Sequence, residues 1–145
     1  MKFSDILNHF KQGKSTARSH MKNLVEMAAV DGNFSSVEFS LLRTIARRNG
    51  ISDSQLEEIR KNPSNVAFEV PKDDKIRFEQ LFDLVHMMAV DESIHQEERK
   101  LSHLYAIKFG YKREIAAELV ETIYQNITHQ QSLEETRMRV SMLLR

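Results

Sequence analysis

The sequence predicts an all-α, single-domain bundle of about seven to eight helices, and three observations predict it. Apolar residues recur at helical spacing along nearly the whole chain, while alternating strand patterns are absent. Capping patterns and glycines punctuate those apolar stretches where helices would start and stop. Finally, Met27 to Ile51 reappears at Met87 to Tyr111, sixty positions on and without a gap, so a helix, an Asp-bearing turn and a second helix are written twice. The pairs include Met27 with Met87, Asp31 with Asp91, Glu38 with Glu98 and Gly50 with Gly110. A chain of 145 residues suits one domain with a sizeable core.

The elements follow in order. A first helix over about Phe3 to Phe10 is expected to break near Gly13, which makes residues 1–14 an N-terminal helical extension to a domain over 15–145. A second begins near Thr16 after Ser15 and buries Ala17, Met21, Leu24, Val25 and Ala28 until Asp31-Gly32. The third opens on a Ser35-x-x-Glu38 capping box, with Phe34 and Phe39 placed for a hydrophobic staple. It continues through Val37, Leu41, Leu42, Ile45 and Ala46 to Gly50. Ser52 and Gln55 form a second box before a helix that ends near Asn62, and Pro63 and Pro71 bracket the one real loop. A helix over about Asp73 to Val90 is apolar on more than one face and should be central. Helices over about Gln96 to Phe109 and Arg113 to Asn126, and one after Ser132-x-x-Glu135, complete the chain.

Lys+Arg equals Asp+Glu at 21 each, so the counterion-releasing basic footprint of a nucleic-acid binder is missing. Residues 1–72 carry +3 and the rest −3, too mild a split to oppose two functional halves. The absence of cysteine excludes disulfides, thiolate nucleophiles and cysteine metal sites, and suits a reducing compartment. The start, MKFSDILNHFKQGK, lacks the continuous apolar run of a secretory signal, and no stretch approaches the roughly 20 apolar residues of a membrane span. A cytoplasmic protein is expected.

The candidate chemistry lies in the acidic turns. In each repeat an Asp ends one helix and a Glu opens the next, so Asp31 with Glu38, and Asp91 with Glu98, can converge across a turn. Hard divalent cations, calcium above all, seek several carboxylate and carbonyl oxygens of this kind. The spacing is not that of an EF-hand, which needs a twelve-residue loop with ligands at nearly every second position. The same residues also fit plain helix capping, Glu38 as a box partner and Asp31 as an acceptor of helix-start amides.

Weaker constellations have simpler explanations. His86, His95, Glu98 and His103 lack zinc-site spacing, and solvated or packed histidines are favoured. Lys14, Arg18 and Lys22 form a basic stripe whose lack of interleaved aromatics favours a solvated face over an anionic partner. Four glycines assemble neither a phosphate loop nor a dinucleotide fingerprint, and no spacing singles out a catalytic triad. A non-enzymatic protein without an organic cofactor is expected.

The run Ala29-Val30-Asp31-Gly32-Asn33-Phe34-x-x-x-Glu38 with Leu41-Leu42 and Ala46, followed by AVDESIHQEERKL and FGYKREIAAELVETI, resembles the TerB-like family associated with tellurite resistance. The resemblance spans about Ser15 to Ile127. It implies one all-helical domain of pseudo-twofold symmetry whose acidic turns bind or sense metal, here through Asp31, Glu38, Asp91 and Glu98. Glu92 stands where the family has Gly, and His95 where Ser35 stood in the first turn. The resemblance further implies a role in stress response or signalling. The alternative is a helical protein-protein interaction domain whose Asp and Glu residues only cap helices.

Overall fold

The protein is described by a computed structural model over residues 3–30, 35–90 and 96–144, with side chains from residue 15 onward. Among the described residues seven α-helices follow one another: α1 (Phe3–Ala29), α2 (Ser36–Arg48), α3 (Asp53–Lys61), α4 (Asp74–Ala89), α5 (Gln96–Lys108), α6 (Arg113–Thr128) and α7 (Leu133–Ser141). A 3-10 turn at Pro63–Asn65 opens the proline-bounded loop. Among the described residues there is no strand, and no helix is long and apolar enough to cross a membrane. The staple partner Phe34 lies outside the described residues.

The expected break at Gly13 does not occur. α1 runs for 27 residues straight through it, so Ser15 is a helix-interior residue and not a cap. An interior glycine costs a helix only about 1 kcal/mol relative to alanine, and no proline accompanies this one to force a stop. The later boundaries follow local chemistry. Ser35 accepts from the Glu38 amide at 3.1 Å while Glu38 accepts from the Ser35 amide at 3.2 Å, a closed capping box at α2. Ser52 and Gln55 repeat the arrangement at α3. At α7 only half forms: Ser132 accepts from the Glu135 amide, but the Glu135 carboxylate takes the Ser132 hydroxyl instead of a backbone amide. Asp73 accepts from the amides of Lys75 and Ile76 to start α4.

Three helices end in one way. The Ile51 amide donates to the Ala46 carbonyl, Tyr111 to Ala106 and Gln131 to Asn126, each across a residue with positive φ. That residue is Gly50, Gly110 and Gln130 respectively. Glycine adopts the left-handed conformation freely, whereas glutamine does so only at a cost.

α4 is central, as its two-sided apolar pattern predicts: it packs against α1, α2, α5, α6 and α7. α1 lies along it and also touches α2, α3 and α5. Residues 21–28 of α1 and 81–88 of α4 are buried and half-buried in the same order, position for position. Met21, Leu24, Val25, Met27 and Ala28 meet Leu81, Leu84, Val85, Met87 and Met88 in one core, joined by Leu42, Ile45, Tyr105, Leu119 and Ile123 from the flanking helices. Val37 and Ile76, expected on apolar faces, are instead exposed.

Candidate functional site

Of the four acidic residues singled out by the sequence, Glu38 and Glu98 fall within the described residues, and Asp31 and Asp91 lie outside them. Glu38 and Glu98 occupy the third position of α2 and α5 and are 4% and 5% exposed. That burial separates them from ordinary surface caps. An ionised carboxylate removed from water is tolerated only where amides or cations surround it, and both lie in the first turn of a helix, where backbone amides point outward. One Glu38 oxygen accepts the Ser35 amide. A carboxylate offers about four acceptor directions, so capping and cation ligation are compatible in one residue. α2 and α5 do not pack on one another among the described residues; both rest on α1 and α4.

The other sequence candidates disperse. His86, Glu98 and His103 join no group of three potential ligands among the described residues, and His95 lies outside them. Of the basic stripe, Arg18 and Lys22 are half-buried, and the Lys22 side chain, 16% exposed, reaches Glu26 at 4.0 Å, while the Lys14 side chain lies outside the described residues.

A second polar cluster went unread in the sequence. His20 and Asn23 on α1 and Gln80 and Asp83 on α4, two helices that pack on one another, are all 4% exposed or less. Nε2 of His20 lies 2.9 Å from Oδ2 of Asp83, and the Arg48 guanidinium, at the end of α2, closes on that same oxygen. His86, one turn further along α4, feels the cluster. Its pKa is lowered by burial, opposed by the Asp83 charge and reinforced by Arg48. The signal was present in the register: His20 and Asn23 stand sixty positions before Gln80 and Asp83, four polar residues at the buried stripe's own spacing. Periodicity reads polarity as exposure, and only the packing of α1 on α4 reverses that.

The His20-Asp83 pair has the makings of an oriented base, but it is a fixture of the interior. His20 is 1% exposed, and with Asp83, Arg48 and Gln80 it borders a small open pocket of about 270 Å³. Its charge partner arrives from a third helix, and the cluster locks α1, α2 and α4 together in one register. At α5 the corresponding link is different in kind: the Tyr105 hydroxyl donates to Glu26 of α1 at 2.7 Å, and burial first, then that hydrogen bond, raises the phenol's pKa. Lys108, at the position equivalent to Arg48, lies over the rings of Phe68 and Tyr105.

Comparison with protein-family models, with curated proteins and with solved structures yields no match. What this chain does must therefore be argued from its own residues.

Proposed function

We propose that this chain is a cytoplasmic, non-enzymatic TerB-like module built on a duplicated helix-turn-helix unit, and that it binds a divalent cation, calcium before transition metals, through its two acidic turns. The observation that carries the reading is the matched burial of Glu38 and Glu98 at the same helical position in both units. The donors are carboxylate oxygens, which suit a hard cation. Glu38 and Glu98 would supply one carboxylate each, with Asp31 and Asp91 as the sequence partners across the turns. A bound cation would neutralise the turns and fix the helices that enter and leave them, a state that a partner could read in stress response, to tellurite or metal, or in signalling.

The test is a calorimetric and NMR titration of chelator-treated protein with calcium, then manganese and zinc, paired with Asp31→Asn combined with Asp91→Asn. Saturable binding and a cation-dependent rise in melting temperature, both lost in the double variant, are expected. Equal thermal shifts in wild type and variant would sink the reading. The capping box at Ser35 and Glu38 favours a second reading, an interaction domain whose acids only hold helix ends. In that case the same double variant loses about 0.5–2 kcal/mol per cap in chelator, with no response to cation in either protein.

A further inference from the structure

At the N-terminal end of α4, its first turn, the α5-α6 connection and the C-terminal turn of α7 enclose a groove of about 680 Å³. Phe78, Ile115 and Val140 are among its apolar lining, and Leu144 and Met138 stand at its edge, 42% and 73% exposed. Met142, one helical turn beyond Met138, is 72% exposed, so the apolar strip continues past the groove itself. Flexible thioethers left in water at this density are unusual on a single-chain surface and mark adaptable contact sites.

The rim is mostly cationic. Lys75, Arg77, Lys112 and Arg137 border the groove against a single acid, Asp74. Asp74 is taken by Arg77, whose guanidinium also meets the Tyr111 hydroxyl, and Arg137 pairs at 3.8 Å with Glu134. Among the described residues Lys75 and Lys112 have no ion-pair partner, and both are exposed. In a chain of zero net charge this is a local excess of cations around an apolar trough.

We propose that this groove docks an acidic amphipathic helix of a partner protein, apolar side chains in the trough and carboxylates against Lys75 and Lys112. Charge complementarity selects the acidic partner, and the continuation of the strip to Met142 selects an extended one over a compact small molecule. The surface is independent of the acidic turns, so it stands whether or not they bind a cation.

The probe is a synthetic helical peptide with leucine at i, i+3, i+4 and i+7 and glutamate elsewhere, fluorescently labelled and titrated against the full chain in chelator. Methyl NMR on the methionines locates binding: Met138 and Met142 should shift while the buried Met21, Met27, Met87 and Met88 stay still. Lys75→Glu combined with Lys112→Glu should weaken binding by about tenfold and flatten its salt dependence. Met138→Glu, at a position already in solvent, should weaken it separately without unfolding the protein. The proposal is overturned by the absence of saturable binding, by equal affinity for a lysine version of the peptide, by shifts at the buried methionines alone, or by dodecanoate binding in the groove where the peptide does not.

Discussion

The helix pairs α1-α2 and α4-α5 share a burial pattern over residues 21–28 and 81–88 and differ in chemistry. In the first, Arg48 at the end of α2, half exposed itself, reaches in to the buried Asp83 beside His20. In the second, α5 makes its link through Tyr105 and Lys108, a neutral hydroxyl on Glu26 and a cation over aromatic rings. Leu42 of the first is Ser102 in the second, both fully buried, with Ser102 donating to the Met88 sulfur at 3.5 Å. Spacing alone settles which positions go inside. What those positions do depends on the helix they meet, so a shared scaffold tolerates a charged lock on one side and an aromatic one on the other.

The sharpest way to break that comparison is to remove the charged lock. Asp83→Ala leaves the buried His20 without its carboxylate and frees the half-exposed Arg48 to solvent, and it is expected to cost about 1–3 kcal/mol in urea denaturation. Asn23→Leu, the sixty-residue counterpart, should cost less than about 1 kcal/mol. Both amide atoms of Asn23 are buried without hydrogen-bond partners, so the wild-type residue contributes little polar stabilisation. Similar losses at the two positions would mean that the units are chemically, and not only geometrically, alike.

A smaller effect tests the shared helix ends. Gly50 and Gly110 have φ of 74° and 99°, and a Cβ at either would meet nothing within 4 Å, so Gly50→Ala and Gly110→Ala isolate backbone strain. Each should cost about 1 kcal/mol, and the opposite change at the third end, Gln130→Gly, should stabilise by about the same amount. A large asymmetry between Gly50 and Gly110 would show that the two units carry unequal strain.

The smallest effect concerns pH. The folded state holds the His86 pKa below its ordinary 6.5 through burial. The unfolded chain therefore takes up a proton there first as pH falls, and the stability contributed by neutral His86, present above 6.5, is lost as pH drops through the folded pKa. Urea midpoints measured on either side of that window should fall more steeply in wild type than in His86→Gln. Equal slopes would show that burial does not lower the His86 pKa in the folded protein.

Much of this was legible beforehand. The capping boxes at Ser35 and Ser52, the αL glycines and the centrality of α4 all come from local patterns that a chain expresses without knowing its neighbours. The Gly13 break was misread because a glycine is only a weak breaker, and the surrounding helix outweighs it. For the candidate site, the acidic residues were visible in the sequence while the burial of Glu38 and Glu98 was not. The buried cluster of His20, Asn23, Gln80 and Asp83 was invisible as a cluster, since each residue alone reads as a polar interruption of an apolar face.

By itself, the sequence determined an all-helical chain, the positions of most helix ends and a unit spelled twice at one spacing. Those are consequences of backbone hydrogen bonding, φ preferences and apolar periodicity, which act within a few residues. Only the tertiary structure decided that α1 and α4 bury their polar residues against each other, that Arg48 rather than solvent satisfies Asp83, and that α4, α6 and α7 leave a cation-rimmed apolar groove open. Those outcomes depend on which helix faces meet, and the desolvation that gives a buried charge its consequence exists only once they do.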